Sequence, residues 1–205
     1  MHIKKMLQIF LVTMFGWMIF NSANAAPQGD PVALLQYIAN NMINQLKANS
    51  ANLKTKPQIV YSLAYKYVVP YADLGEMSKR VIPPSVWNSS SGGQHQQFEK
   101  QFTRLLIRTY ASALTSYRDQ SVEFYPVRGG TGSGNVEVNS RIISPDASPI
   151  SVTYRLIRKG SGWKIYDMSV EGVSLIDSFR SQFSDILAQG NMDTLLQRMS
   201  SHSGG

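Results

Sequence analysis

Asp167 and Glu171 are the residues of this chain whose type and spacing could do chemistry. They flank the end of a strand-like run, Trp163 to Met168, just ahead of Gly172 and Ser174. By the alternation of that run, Asp167 shares a phase with Trp163 and Ile165 and would face inward. A carboxylate in such an apolar setting has its charged form disfavoured and can act as a general base. Small cone-shaped α+β isomerases use one in that way on apolar substrates. The same carboxylate can instead be structural, accepting backbone N–H groups where the next helix begins. Both roles stay open on the sequence. Glu123 and Glu137 lie on the polar phase of neighbouring strands, the pattern of a solvated sheet face.

No other pattern supplies a nucleophile or a set of metal ligands. His2 lies among the first residues, His95 borders a Ser/Gly-rich stretch and His202 falls in a polar C-terminal tail, and there are no cysteines. A Ser/His/Asp triad or a His-rich metal site needs histidines rising from ordered elements. The run Gly129 to Gly134 lacks the lysine and the following helix of a phosphate-binding loop, so it reads as a hairpin loop. Neither a metal nor a cofactor is expected.

The elements that must position Asp167 and Glu171 follow from periodicity. Asp30 before Pro31 is a helix start, and Leu34, Leu35, Ile38, Met42 and Leu46 recur at helical spacing, so a helix is predicted over 31–48. Pro57 opens a second helix that Pro70 ends, and a third around Leu74, Met77 and Val81 stops at Pro83-Pro84. Ser89 to Gly93 reads as a flexible loop. From about Gln94 to Tyr117 a long helix carries Phe98, Phe102, Leu105, Leu106, Tyr110, Ala113, Leu114 and Tyr117 on a broad apolar face.

After Asp119 the period changes to two. Val122 and Phe124, then Val136, Val138 and Ile142, then Ile150, Val152, Tyr154 and Leu156, then Trp163 and Ile165, alternate with polar residues. Four such runs separated by turn-rich stretches predict an antiparallel meander with one apolar face. Ser174 with Asp177 resembles a capping box, and the helix it opens carries Ile176, Phe179, Phe183, Ile186 and Leu187. A last short helix holds Leu195, Leu196 and Met199. The fold class is therefore α+β.

The first residues read as a secretory signal peptide. Lys4 and Lys5 are basic, Met6 to Phe20 is apolar and uncharged, and Ala23-Asn24-Ala25 is a small-x-small cleavage site. The apolar run is short of the ~20 residues a transmembrane helix needs. Residues 1–25 are thus expected to be removed. Residues 26–205 would then form one domain, with helices over 31–118, the sheet over 121–170 and C-terminal helices over 174–200. The chain has 205 residues, 43% hydrophobic, and a net charge of +7, ordinary for a globular protein with a modest basic excess. An exported chain without cysteines has no disulfides and rests on its core. An aromatic-interleaved basic motif is missing, so no nucleic acid is expected, and the domain is expected to be a monomer.

The residues around the acidic pair also resemble a known family. Tyr166-Asp167-Met168 followed by Glu171-Gly172-Val173-Ser174, after the tryptophan strand, is similar to the signature of the MlaC family. These are periplasmic phospholipid-binding components of the maintenance-of-lipid-asymmetry pathway, known in some bacteria as toluene tolerance proteins. Val69-Pro70-Tyr71 with Asp73, Met77-Ser78 and Val81 resembles the family's proline-centred helix pair. Phe98, Phe102, Leu105, Thr109-Tyr110-Ala111, Leu114 and Tyr117 resemble its long helix. The resemblance runs from about residue 30 to 198, and Ile82-Pro83-Pro84 departs from it where the family usually shows a leucine-glycine turn.

The resemblance implies a curved four-stranded antiparallel sheet with helices across its concave face, and a lipid carrier rather than an enzyme. Its cargo would be phospholipid. Its partners would be an inner-membrane ABC transporter complex with a lipid-binding ring protein, and an outer-membrane lipoprotein with porin. Tyr110 and Val173 would be pocket or mouth positions. Exposing the roughly thirty methylenes of a diacyl lipid at ~0.8 kcal/mol each costs on the order of 25 kcal/mol, so a carrier needs a large apolar cavity and no covalent chemistry. Candidate lining residues are Phe102, Leu106, Tyr110 and Leu114 on the long helix, and Val122, Phe124, Val138, Ile142, Val152, Tyr154, Leu156 and Ile165 on the sheet. Val173 and Ile176 join them at the following junction. Each has plain core as its alternative, and core is the commoner role for such a residue, because core and pocket draw on the same residue types. Asp167, Glu171, Gly172 and Ser174 would fix the turn. Burying a charged phosphate without partners is costly, so the head group is expected to stay outside and to be read weakly.

Overall fold

The computed structural model describes residues 26–117 and 119–201. The expected signal peptide over 1–25 lies outside the described residues. Helix α1, Pro31–Ala48, starts as its sequence dictates: the Asp30 carboxylate accepts the N–H groups of Val32 (2.8 Å) and Ala33 (3.3 Å), donors that the first turn otherwise leaves without partners. Helix α2 is Gln58–Tyr67, and a 3-10 turn at Val69–Tyr71 leads to α3, Leu74–Val81, capped by Asp73 on the Glu76 N–H at 3.0 Å.

Pro83-Pro84 does more than stop α3. Pro83 is extended, and Pro84 takes the first position of a further short helix, α4, Pro84–Ser89, where a missing N–H costs nothing. The long helix α5 begins at Gly92 and ends at Thr115, so it takes in the end of the stretch expected to be loop. Its start is a reciprocal capping box, with the Gln94 N–H on Ser91 Oγ (3.2 Å) and the Ser91 N–H on Gln94 Oε1 (2.8 Å).

All four expected strands form: β1 Ser121–Phe124, β2 Asn135–Ser144, β3 Ala147–Lys159 and β4 Gly162–Val170. They pair antiparallel in sequence order, and a short fifth strand, β5 Val173–Ser174, joins the edge of β4. The sheet therefore has five strands, not four. The reason is the turn between Val170 and Val173, where Glu171 (φ +48°) and Gly172 (φ +81°) both take left-handed conformations. Two such residues make the hairpin turn whose twist matches paired strands, so the chain folds back on β4 before helix α6, Leu175–Leu187, begins. Helix α7 is Met192–Ser201.

The buried side chains form three clusters among the described residues. One joins α3, α5, α6 and α7, centred on Phe98, Phe102, Phe179 and Phe183, whose rings lie 5.2 to 5.8 Å apart. A second seats Leu34, Leu35 and Ile38 of α1 on Val136, Val138, Leu156 and Trp163 of the sheet. The third holds the end of α1 against α2, with Met42, Leu46, Val60, Leu63 and Ala111. Helix α5 spans the first and the third, packing on α2, α3 and α7. Asp73, at the start of α3, ties the helices to the sheet: its N–H meets the Ile165 carbonyl of β4 at 2.8 Å and its carboxylate pairs with Lys159 of β3 at 3.1 Å. Among the described residues no helix is long and apolar enough to cross a membrane.

Phe102 makes three of the ring contacts in the phenylalanine cluster and is 1% exposed. Phe102→Ala is expected to cost about 3–5 kcal/mol in urea unfolding, whereas Val173→Ala at the hairpin tip should stay within about 0.5 kcal/mol.

Candidate functional site

Two sites meet along β4, one polar and one apolar, and a single extra residue separates them. Leu156 of β3 stands opposite Ile165, while Arg155 stands opposite Asp167, so Tyr166 is inserted as a β-bulge. The insertion reverses the alternation. Trp163 and Ile165 face α1, but Asp167 points to the other side of the sheet with Arg155. The shared phase of Asp167 with Trp163 and Ile165, expected from the alternation, is thereby corrected.

Asp167 is 3% exposed. One oxygen accepts from Arg155 Nη1 (2.7 Å) and the Ser174 hydroxyl (2.8 Å), the other from the backbone N–H groups of Met168 (2.8 Å) and Ile176 (3.2 Å). A carboxylate has about four lone-pair sites, and here all are engaged. Arg155 also donates to Glu137 at 2.8 Å; that bond raises the guanidinium pKa, against desolvation and with help from Asp167. The Ser174 oxygen accepts the Asp177 N–H at 3.2 Å. The Asp177 carboxylate, however, turns to Arg180 at 3.1 Å, so the capping box is half made. Glu171 accepts the Ser151 N–H with its side chain and gives its own N–H to the Ser151 carbonyl at 2.9 Å. Asp167, Glu171, Gly172 and Ser174 thus come together as one turn. In this geometry Asp167 has no lone pair left to take a proton from a substrate.

The apolar site lies on the opposite face of the sheet. Strand register places Val122 and Phe124 of β1 beside Ile142 and Ser140 of β2, and these beside Ile150 and Val152 of β3. Tyr154 and Leu156 follow on β3, and across on β4 Val170 stands opposite Val152, Met168 opposite Tyr154 and Ile165 opposite Leu156. Val138 and Leu156 are fully buried under α1, so they are core. Phe102 and Ile176 are core in the phenylalanine cluster. Val152 is buried as well, while Val122, Phe124, Ile142, Tyr154 and Ile165 are half-buried.

On α5, Leu105, Leu106, Ile107, Tyr110 and Leu114 are also only half-buried. Leu105, Leu106 and Tyr110 flank the phenylalanine cluster and Leu114 the α1–α2 cluster, whereas Phe124, Tyr154 and Ile165 flank the cluster under α1. The candidate lining residues are therefore divided among separate cores. Val173 stands 63% exposed at the hairpin tip. Met168 and Val170 belong to this face although the alternation before the bulge hides them; the signal was the adjacent pair Ile165 and Tyr166, which breaks strict alternation. Burial pushes the Tyr110 and Tyr154 phenols above their usual range.

Two surface clefts lie elsewhere and are polar. One of about 440 Å³ is lined by Ser85, Ser89, Gln94 and Asn191, the other of about 260 Å³ by Arg80, Arg155, Asp167, Asp177 and Arg180. Neither offers the hydrocarbon lining that an acyl chain requires. Among the described residues no group of His, Cys, Asp and Glu could hold a metal ion.

The model of the MlaC protein family matches residues 36–201. The chain belongs to that family. It is 27% identical over 201 residues to the intermembrane phospholipid transport system binding protein MlaC of Haemophilus influenzae, covering 97% of this chain and 92% of that one. It is 25% identical over 163 residues to the toluene tolerance protein ttg2D of Pseudomonas putida, covering 80% of this chain and 75% of the relative. A solved phospholipid-binding protein from Ralstonia solanacearum, in complex with a phospholipid, superposes with a TM-score of 0.78 at 28% identity, over 84% of this chain and 96% of that one.

Asp167→Ala would orphan the Met168 and Ile176 N–H groups and leave Arg155 with Glu137 as its one remaining carboxylate, and is expected to cost about 3 kcal/mol or more in chemical unfolding. The tyrosines set the alkaline limit. Folding raises the pKa of Tyr110 and Tyr154 above 10.0, so the stability tied to their neutral form is complete below that value and is lost as pH rises through the higher folded-state values. Unfolding curves across that range should shift to lower denaturant, and absorbance titration should show late-ionising tyrosines that vanish in the unfolded chain.

Proposed function

We propose that this chain is a phospholipid carrier of the periplasm. It holds acyl chains between the apolar face of the sheet and α5 and moves lipid between the two membranes, helping to keep the outer membrane asymmetric. Its export depends on the leader over 1–25, which is cleaved to leave one lipid-binding domain. The donor and acceptor are an inner-membrane ABC transporter complex with a lipid-binding ring protein, and an outer-membrane lipoprotein with porin. No catalytic step is involved.

The observation that carries this reading is the pair of unfilled apolar surfaces. An ordinary core closes on itself until its large side chains are buried at close-packed density. Here the long helix and the sheet each keep a band of half-buried hydrocarbon, while α5 takes its packing from other helices. Such surface is unfavourable in water by about 25 cal/mol per Å², and an apolar guest inserted between the two bands would cover both. The relatives named as phospholipid-transporting or phospholipid-binding support phospholipid as that guest.

Organic extraction of the purified protein followed by mass spectrometry is expected to return phospholipid in stoichiometric amount. A protein empty of lipid that also takes up none from vesicles would overturn the reading. Filling the gap from either wall, by Leu106→Trp on α5 or Ile142→Trp on β2, should lower the lipid recovered several-fold without lowering the melting temperature. Lipids with identical chains and different head groups should bind with similar affinity, because the phosphate stays at the mouth.

A further inference from the structure

Three arginines from three separate elements border one cleft. Arg80 comes from the last turn of α3, Arg155 from β3 and Arg180 from α6, and with Tyr166, Asp167 and Asp177 they line the space of about 260 Å³. Each guanidinium is pinned by its Nε and by one terminal nitrogen. Arg80 forks on Glu76 with Nε (2.8 Å) and Nη2 (2.7 Å) and lies over the Tyr166 ring at 4.4 Å. Arg155 holds Glu137 with Nε (2.8 Å) and Asp167 with Nη1 (2.7 Å). Arg180 donates from Nε to the Arg80 carbonyl (2.9 Å) and from Nη1 to Asp177 (3.1 Å).

A guanidinium has five N–H donors, so these contacts leave one terminal nitrogen on each arginine. Nη1 of Arg80 and Nη2 of Arg155 and Arg180 have no partner among the described residues. The carboxylates nearby are already committed. Asp167 has all its lone pairs engaged, Asp177 is held by Arg180, and Glu76 and Glu137 pair with their arginines without lining the cleft. The lining therefore carries three cations against two anions, and donors in excess of free acceptors. Fixing two nitrogens of a guanidinium limits the rotamers of the rest, which lowers the ordering cost that a guest has to meet. Donors supplied from three elements suit a tetrahedral oxyanion, whose oxygens point in several directions. A planar carboxylate is satisfied by the fork of a single arginine.

We propose that this cleft is a binding site for a phosphate group, with Arg80, Arg155 and Arg180 as its donors. Asp167 and Arg155 lie on the face of the sheet turned away from the apolar band, so the guest is separate from any lipid held there, and the proposal does not rest on the carrier reading. The phosphate is either the free ion or a phosphomonoester head group at a bilayer surface.

The test titrates wild type carrying isotope-labelled arginine with inorganic phosphate, with sodium chloride of equal ionic strength and sodium acetate as controls. The side-chain signals of Arg80, Arg155 and Arg180 are expected to move together and to saturate with phosphate alone. Arg180→Gln should weaken the phosphate affinity at least about tenfold, the loss of one charge-assisted hydrogen bond. Asp177→Asn removes a negative charge from the lining and should tighten it roughly two- to fivefold; this variant decides if Arg180→Gln does not fold. Vesicles of phosphatidic acid separate the two sources. Cosedimentation that inorganic phosphate displaces assigns the site to a head group, and saturation by phosphate without cosedimentation assigns it to the free ion. Shifts no larger than those in chloride, an equal response to acetate, or an affinity that Asp177→Asn fails to raise would overturn the proposal.

Discussion

The Asp167 carboxylate is where two separately packed halves of the molecule are joined. Its four hydrogen bonds reach Arg155 on β3, its own strand at Met168, the Ser174 side chain and the first turn of α6 at Ile176. A buried ion pair is weak evidence for stability by itself, since desolvation offsets much of the attraction. It does impose geometry, because a charge with all lone pairs engaged admits few arrangements of its donors. The helices around the phenylalanine cluster share no core residue with the sheet and α1. What ties that cluster to the sheet is at β4: the Asp167 hydrogen bonds to the start of α6, and Tyr166, which packs against the cluster.

A carrier with room for acyl chains needs such a division. One continuous core would draw the long helix onto the sheet and bury Leu106, Tyr110, Ile142 and Tyr154 against each other. With hydrocarbon distributed over three smaller clusters, each layer is stable on its own contacts. The chain has no cysteine to constrain its unfolded state. A bound apolar guest stabilises such a fold by mass action, because it binds the native state and not the unfolded one.

The sequence displays the parts of this arrangement that depend on period and leaves obscure the parts that depend on one residue. Strand alternation from Val122 to Ile165 and the helical stripes of Leu34 to Leu46 and Phe98 to Leu114 predict the layers. Tyr166 does not announce itself as an insertion, yet it reverses the side on which Asp167 falls. Position three after Ser91 carries Gln94, a legible capping signal hidden by the Ser/Gly composition around it, and Pro84 both ends one helix and suits the start of another. Core and pocket draw on the same residue types, so the sequence does not display that Phe102, Val138 and Leu156 are buried while Leu106 and Tyr154 stay half-buried.

Glu171 shows how the turn that ends the sheet is held. A residue with a side chain in the left-handed region carries a strain of order 1 kcal/mol or more, and asparagine, aspartate or glycine is the usual choice at the first central position of such a hairpin. Glutamate has a longer reach. Its backbone N–H and its carboxylate both engage Ser151, so the side chain completes the ladder of β3 beyond the point where β4 turns away. The geometry that puts Val173 outward at the hairpin tip thus depends on the same Glu171 whose spacing from Asp167 first suggested acid–base chemistry. Both carboxylates act as acceptors for the backbone, Asp167 on the strand before the turn and Glu171 within it, and neither is left free for a substrate's proton.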